Sequence, residues 1–196
     1  LIIAIDGPAG SGKSTVSKLV AKRLGLLYLD TGAMYRALTL KAMRLNLDLE
    51  DTGALVRLAR STRLDLSQAG GRPKVILDGE DVAALIRAPE LTANVKYIAV
   101  VPGVRAEMVK LQRAIGERAG AVLEGRDIGT VVFPDADYKF YLDADADERA
   151  RRRYLELKGS GQDVDFETVK ADAMARDRSD MARSVGALKK AEDSVI

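Results

Sequence analysis

The first third of the chain alternates between strand-like and helix-like patterns of apolar positions. Residues 1–5 form a short apolar run rich in Ile, which predicts a buried strand. Residues 13–24 carry apolar side chains at helical spacing and are followed by Gly25, which is typical of a helix end. Residues 26–29 predict a second strand and residues 35–45 a second helix. This order of strand, helix, strand and helix predicts a parallel α/β sheet.

The middle of the chain departs from this order. Residues 62–66 alternate between apolar and polar, residues 74–77 are strand-like, and Asp78-Gly79 is a signal for a hairpin turn. We therefore predict a small β insertion over about residues 60–89, followed by a helix that ends near residue 100.

The second half of the chain returns to the α/β pattern. The predicted elements are a helix after Pro102-Gly103, buried strands at 121–124 and 139–142, polar helices at 147–157 and 166–178, a loop at 158–164 and a final strand at 194–196. Because a strand in this order is normally followed by a helix, we expect the full protein to continue beyond residue 196.

Composition narrows the chemistry that such a fold could perform. The 196 residues include 31 Lys+Arg and 29 Asp+Glu, for a net charge of +2, and they include no His and no Cys. This excludes disulfides, a thiol nucleophile, a Ser-His triad and metal sites built on Cys or His. Arg outnumbers Lys by 19 to 12, which favours bidentate clamps on phosphate or carboxylate. The sequence contains no apolar run of membrane-spanning length and no signal-peptide pattern at its start.

A phosphate-binding loop follows the first predicted strand. Residues 7–14, GPAGSGKS, fit the pattern G-x-x-x-x-G-K-[ST] in full. The glycines let consecutive backbone N–H groups turn inward around an anion, and the next helix points its positive end at the same place. In this pattern Lys13 reaches the β- and γ-phosphates of a nucleotide, and the Ser14 hydroxyl can bind Mg²⁺. Asp6, directly before the loop, either holds a magnesium-bound water or caps the turn.

Charged residues also follow the second and third strands, at the edge where parallel sheets bind ligands. Thr31 and Arg36 are expected to meet an acceptor there, and the alternative is that Asp30 or Thr31 caps a helix. Arg126 and Asp127 lie between two glycines directly after the third strand. For this pair the alternative to a functional role is a local ion pair in a loop.

Arginines recur in two stretches of the last quarter. In the later stretch, Arg176, Asp180 and Arg183 are spaced so that they share one face of a helix, and a solvated charged face is the default interpretation. The earlier stretch either reaches a bound nucleotide or pairs in solvent with Glu148 and Glu156, and it contains Arg149, Arg152 and Arg153.

Several classes of nucleotide-binding protein share the phosphate loop. The sequence contains no N-K-x-D and no D-x-x-G element, which argues against an NTP switch, and its length leaves little room for a motor. A small-molecule kinase is therefore favoured. Two alternatives stay open: a kinase of the shikimate type, in which Asp30 would serve a hydroxyl acceptor as base or anchor, and a non-catalytic nucleotide-binding module.

At these residues the chain resembles the bacterial cytidylate (CMP) kinase family of P-loop nucleoside monophosphate kinases. The resemblance covers essentially the whole chain and rests on the β insertion and on GPAGSGKST, LDTGAMYRA, PGVR, EGRDIGTVVFPDA, DERARRR and RDRSD. It implies a single domain with a three-layer α/β/α fold around a central parallel sheet. In that domain 60–89 would be the NMP-binding insertion, 148–183 a helical lid, and 1–59, 90–147 and 184–196 the core.

The resemblance also implies an activity, which is Mg²⁺- and ATP-dependent phosphorylation of CMP or dCMP. In such a site uracil would present a carbonyl to the carboxylate of Asp127, so we expect a strong preference for CMP over UMP. Together with the composition, the resemblance leads us to expect a cytoplasmic monomer that binds neither nucleic acid nor membrane.

The residues that match the family's functional positions fall into groups. Those expected to read cytosine are Thr31, Arg105 and Asp127; those expected to hold the acceptor phosphate are Arg36, Arg126 and Arg183; and those expected to approach the sugar are Arg176 and Asp180, with Tyr35 completing the CMP site. The ATP site comprises Gly7, Pro8, Ala9, Gly10, Ser11, Gly12, Lys13, Ser14, Thr15, Arg149 and Arg153. The residues expected to act in catalysis are Lys13, Arg126, Arg152 and Arg183, and those expected at the metal are Ser14 and Asp6.

Overall fold

The computed structural model describes residues 1–69 and 72–196, and within them it has the predicted α/β architecture. The strands are β1 (Ile2–Asp6), β2 (Leu27–Asp30), β3 (Leu64–Ala69), β4 (Arg72–Leu77), β5 (Glu80–Asp81), β6 (Ala121–Gly125) and β7 (Tyr138–Tyr141). The helices are α1 (Lys13–Leu24), α2 (Thr31–Arg44), α3 (Thr52–Ser61), α4 (Pro89–Ala99), α5 (Pro102–Ala119), α6 (Ala146–Gly159) and α7 (Phe166–Met181). A short 3₁₀ turn covers Leu85–Arg87, and a π-helical turn covers Ile128–Val132.

The central sheet is parallel, with the strand order β2-β6-β1-β7. Successive side chains of a strand point to opposite faces, and both faces of this sheet are covered. On one face Ile3, Ile5 and Val122 pack with Ala21 of α1. On the other face Ala4, Leu29 and Leu123 join the larger core that is shared with α2 and α5. The predicted three-layer α/β/α fold is therefore confirmed.

Two flanking glycines set the bounds of the helix that follows β1, and a capping side chain sets the start of the helix that follows β2. Helix α1 begins after Gly12, whose φ is 96°, and ends before Gly25, whose φ is 67°, so its predicted bounds are correct. Helix α2 begins at Thr31 because the Asp30 carboxylate accepts a hydrogen bond from the Ala33 N–H at 2.9 Å. The capping interpretation of Asp30 is thus confirmed, and the predicted start of this helix at residue 35 was wrong.

A second, antiparallel sheet with the order β3-β4-β5 lies within the predicted insertion, of which residues 70–71 fall outside the described residues. Asp78 and Gly79 both have positive φ, 50° and 97°, so they form the tight turn between β4 and β5 that their sequence predicts. The buried side chains Leu64 and Leu77 face each other across the β3–β4 pair and belong to the main core. This sheet is therefore packed against the body of the protein.

Other differences from the predicted elements are local. Helix α3 was not predicted, although Asp51 caps it by accepting from the Ala54 N–H and Leu55 and Leu58 are buried. The predicted final strand is only a bridge, in which the Tyr141 N–H donates to the Val195 carbonyl at 2.8 Å. Among the helices of residues 1–69 and 72–196, none is both long and apolar enough to span a membrane.

Two glycines that end helices give a test of this packing. Gly120 has φ 74° and ψ 149°, and a Cβ there would lie 2.8 Å from the Leu1 carbonyl oxygen. Gly25 also has a positive φ, but a Cβ there would meet nothing within 4 Å. We expect Gly120→Ala to lower the free energy of unfolding by about 3 kcal/mol and Gly25→Ala by about 1 kcal/mol, as measured by urea denaturation. Equal losses would contradict the close approach at Gly120.

Candidate active site

The phosphate loop leaves β1 at Asp6 and turns tightly against the neighbouring chain. Gly7 has φ 147°, and a Cβ at this position would lie 2.0 Å from the Leu142 carbonyl oxygen, so only glycine fits. Gly10 and Gly12 also have positive φ, 76° and 96°. The remaining loop residues, Pro8, Ala9 and Ser11, lie between these glycines, and Thr15 lies in the first turn of α1. The backbone therefore has the concave shape that binds phosphate.

Lys13 is buried beside this loop. Its Nζ donates to the Pro8 carbonyl at 2.6 Å and to the Ser11 Oγ at 3.4 Å. Burial and the nearby Arg126 guanidinium lower the pKa of Lys13, while the carboxylates of Glu124 and Asp6 oppose this shift. A phosphate anion in the loop would offset the desolvation and restore the charged form of this side chain.

Glu124, at the end of β6, is a functional candidate that the sequence analysis missed. The Ser14 hydroxyl donates to its Oε2 at 2.9 Å, and the Tyr28 hydroxyl donates to its Oε1. Burial and the nearby Asp30 raise the pKa of Glu124, although the two hydroxyl donors favour its ionised form. A carboxylate beside the Ser14 hydroxyl supplies oxygen ligands of the kind that Mg²⁺ prefers.

The carboxylate of Asp6 faces the turn after β6 and not the Ser14–Glu124 pair. Its two carboxylate oxygens accept from the backbone N–H groups of Ile128 at 2.9 Å and Gly129 at 2.8 Å, which begin the π-helical turn. At the other end of the turn, the Arg113 guanidinium donates to the carbonyls of Val131 and Val132, at 2.8 and 2.6 Å. Burial raises the pKa of Asp6 to about 6 despite the two N–H donors. Asp6 therefore caps the π-helical turn after β6, and not the phosphate-loop turn that its place in the sequence suggested.

Arg105 and Asp127 form a buried ion pair between α5 and the turn after β6. The Arg105 guanidinium carbon lies 5.5 Å from the ring centroid of Tyr35, and its Nη1 donates to the Ala99 carbonyl at 3.3 Å. Gly186, with φ 67°, lies against the guanidinium, and a Cβ there would be 1.9 Å from Nη2. Burial raises the pKa of Asp127, and Arg105 opposes the shift. The Arg105 Nε is buried without a hydrogen-bond partner among the described residues, and a Cβ at Gly186 would lie 2.4 Å from it, so the backbone of Gly186 packs against this atom.

The hydroxyl of Thr31 lies close to this pair along β6. Its Oγ1 donates to the carbonyl of Glu124 at 2.8 Å, and Thr31 is buried. A Cβ at Gly125 would lie 2.8 Å from this Oγ1, so glycine allows the close contact between α2 and the end of β6.

Asp180 holds two of the predicted phosphate-binding arginines. The Arg126 Nε donates to its Oδ2 at 2.8 Å, and the Arg183 Nη2 donates to its Oδ1. Arg126 thus pairs with a residue of α7 and Asp127 with Arg105, so the alternative of a local Arg126–Asp127 ion pair was wrong. Asp180 is buried, so the interpretation of a solvated charged face does not hold for this residue, and α7 ends at Met181, so Arg183 lies just beyond the helix.

Arg126 is the centre of a cluster of cations. Burial and Arg126 together lower the pKa of Lys13 and lower that of Arg176 to about 10. Burial also lowers the pKa of Arg183, with Arg105 and Arg126 contributing, while Asp180 opposes the shift. Arg176 remains exposed to solvent, so its desolvation is that of an open cleft rather than of the core. Arg36, which pairs with Asp30 at 2.8 Å, adds to the repulsion on Arg176.

The three lid arginines have different surroundings. Arg149 is buried, and its Nη1 donates to the Ala9 carbonyl at 3.1 Å and to Asp177 at 2.5 Å. Arg152 is exposed and pairs with Glu148, although a Cβ at Gly12 would lie only 3.7 Å from its Nη1. Arg153 is exposed and pairs with Glu156. The alternative interpretation, in which Arg152 and Arg153 pair in solvent with these glutamates, therefore describes this structure.

The phosphate loop and a cluster of cations at the carboxyl edge of a parallel sheet define a P-loop phosphotransferase. Comparison with known proteins specifies the family further, because the model of the family described as cytidylate kinase matches residues 3–196. The cytidylate kinase of Desulforamulus reducens is 54% identical over 194 residues, covering 99% of this chain and 87% of that protein. The cytidylate kinase of Symbiobacterium thermophilum is 48% identical and covers 100% of this chain and 87% of its own length. The cytidylate kinase of Pelotomaculum thermopropionicum is 52% identical and covers 99% of this chain and 86% of its own length. The chain belongs to the cytidylate kinase family.

Proposed function

We propose that the chain transfers the γ-phosphoryl group of ATP to CMP or dCMP, giving ADP and CDP or dCDP. Family membership supports this activity. The observation that carries the proposal is the cation cluster around Arg126, between the phosphate loop and Asp180. Cations held this close together are suited to a site where two anionic phosphates must meet.

Binding and orientation would be the main tasks of the protein in this reaction. The acceptor supplies its own nucleophile, a phosphate oxygen that is already ionised, so no general base is required. Coulomb repulsion between the two phosphates opposes their approach, and arginines offset it because they stay charged and bind two oxygens at once. Lys13 would serve the donor side, and Arg36, Arg126 and Arg183 the acceptor side. Arg152, beside Gly12, is the lid arginine best located to join them.

The cytosine site would be built around the Arg105–Asp127 pair. The Asp127 carboxylate and the Thr31 hydroxyl can accept from the exocyclic amine of cytosine, while the Arg105 guanidinium would donate to the ring. Tyr35 supports the pair by lying against the Arg105 guanidinium. Arg176 and Asp180, one turn apart in α7, would approach the sugar.

Ser14 and Glu124 are the residues that fit a magnesium ion best. Their oxygens lie side by side next to the phosphate loop, whereas both oxygens of Asp6 are used by backbone N–H groups. When bound with ATP, Mg²⁺ neutralises charge that develops on the phosphates. We therefore assign the metal to Ser14 and Glu124 in preference to Ser14 and Asp6.

The remaining expectations stay predictions: the monomeric state, the cytoplasmic location, the absence of nucleic-acid partners and the bounds of insertion and lid. The shikimate-type alternative is disfavoured because Asp30 already caps α2 and pairs with Arg36.

Replacement of Lys13 distinguishes an enzyme from a non-catalytic nucleotide-binding module. We expect Lys13→Ala to lower the CMP-dependent release of ADP by about three orders of magnitude, because a cation next to the transferred group is lost. Lys22→Ala, in the last turn of the same helix, is the control and should behave like the wild type. A coupled ADP assay with CMP, UMP and shikimate measures both variants. Tight ATP binding without CMP-dependent turnover, or turnover of shikimate, would refute the proposed activity.

Base recognition by Asp127 can be tested with an isosteric change. We expect Asp127→Asn to lower the ratio of kcat/KM for CMP over that for UMP by about 10- to 100-fold, because the amide can donate to a uracil carbonyl. The two ratios come from the same assay with purified wild type and variant. An unchanged ratio would show that Asp127 does not read the base.

Two substitutions test whether the carboxylate of Glu124 or that of Asp6 binds the metal. We expect Glu124→Gln to raise the Mg²⁺ concentration for half-maximal rate by about 10-fold, since a charged oxygen is lost beside Ser14. Asp6→Asn, whose side chain faces the π-helical turn, should leave this concentration unchanged while lowering the free energy of unfolding. Titration of activity with MgCl₂ at fixed ATP distinguishes them, and the opposite order would assign the metal to Asp6.

A further inference from the structure

We propose that Arg149 and Asp177 are positioning residues that hold the phosphate loop in its nucleotide-binding shape through Ala9. The inference rests on the proposed function only in taking ATP as the bound nucleotide. Arg149 lies in the first turns of α6, and Asp177 lies in α7.

The two side chains engage both polar groups of a single loop residue. The Arg149 Nη1 donates to the Ala9 carbonyl at 3.1 Å, and the Ala9 N–H donates to Asp177 Oδ1 at 3.4 Å. The other carboxylate oxygen of Asp177 accepts from Arg149 Nη1 at 2.5 Å. Arg149, Asp177 and Ala9 therefore form a closed ring of hydrogen bonds. We call this ring the loop clamp.

The loop clamp is built for rigidity. Arg149 and Asp177 are only 8% and 7% exposed, so water competes little for their hydrogen bonds. The Arg149 Nε donates to the Ala144 carbonyl at 3.0 Å, which fixes the guanidinium from its far side. Gly10 lets the helix approach, because a Cβ there would lie 3.1 Å from the Arg149 carbonyl oxygen. The phosphate loop is therefore packed directly on α6.

These contacts give Arg149 a different role from the one that the sequence suggests. The side chain of Arg152 is exposed, so its guanidinium can turn toward a bound nucleotide. The guanidinium of Arg149 instead makes three contacts with the protein. Likewise the Ala9 N–H is directed to Asp177 and away from an anion in the loop.

The clamp also joins the two substrate sites mechanically. Asp177 and Asp180 lie about one turn apart on α7, and Asp180 binds Arg126 and Arg183 of the acceptor site. Helix α7 therefore holds the phosphate loop through Asp177 and the acceptor arginines through Asp180. We infer that the loop keeps its binding shape only while α7 is docked.

Asp177→Asn is the central test because it keeps the size of the side chain and removes its charge. We expect the dissociation constant for ADP, measured by titration calorimetry, to rise about 10-fold. KM for ATP should rise to a similar extent while KM for CMP stays within about twofold. Amide hydrogen exchange of residues 7–14 should accelerate, and Arg149→Lys should keep part of the affinity. Arg151→Ala in α6 and Asp172→Asn in α7, both exposed, are the matched controls and should behave like the wild type.

Several outcomes would overturn the clamp. Unchanged ADP affinity and exchange in Asp177→Asn would do so. If Arg149→Ala lost affinity while Asp177→Asn kept it, Arg149 would contact the nucleotide directly. A lower active fraction with unchanged KM, or failure of Asp177→Asn to fold, would mean that the pair supports the fold and not the loop. Because ADP binding needs no turnover, an absence of CMP phosphorylation by the wild type would refute the proposed function and leave this test standing.

Discussion

The parallel pairing of β1 with β6 is the constraint on which the site depends. Its register places Asp6 opposite Gly125, so the two strands end at the same level. Since they run in the same direction, the phosphate loop after β1 and the Arg126-Asp127 turn after β6 leave from one edge. The Asp6 side chain accepts hydrogen bonds from the π-helical turn, and these bonds link the segment that leaves β1 to the segment that leaves β6. Lys13 and Arg126 become neighbours although more than a hundred residues separate them.

The electrostatics of this edge are unfavourable in the absence of substrate. Lys13, Arg176 and Arg183 are crowded around Arg126, and burial lowers the pKa of each of these three side chains. Asp180 keeps the cluster together but does not neutralise it. Two polyanionic substrates would supply the missing negative charge, so the same repulsion that strains the free protein favours the state in which both phosphates are bound.

Local patterns in the sequence predicted the parts of this arrangement that depend on near neighbours. The phosphate loop and the bounds of α1 follow from glycine positions and helical spacing. The partners of the charged groups could not be predicted in this way, because Ser14 meets Glu124 and Ala9 meets Asp177 only after the sheet has formed. Arg126 and Asp127 show the difference well. Their adjacency left a local ion pair open as the alternative to a functional role, whereas in the fold each binds a separate partner.

The glycine that touches Arg105 has a consequence for how such a site can evolve. Gly186 contacts no residue of the phosphate loop in the described interactions, yet any side chain there would push the guanidinium away from Asp127. Under the proposed base recognition by Arg105 and Asp127, the choice of nucleobase depends partly on a position in the connecting segment after α7. A lineage could then change its base preference by substitution of Gly186 while every residue proposed to contact the base stays the same. Comparisons limited to substrate-contacting residues would not detect such a change.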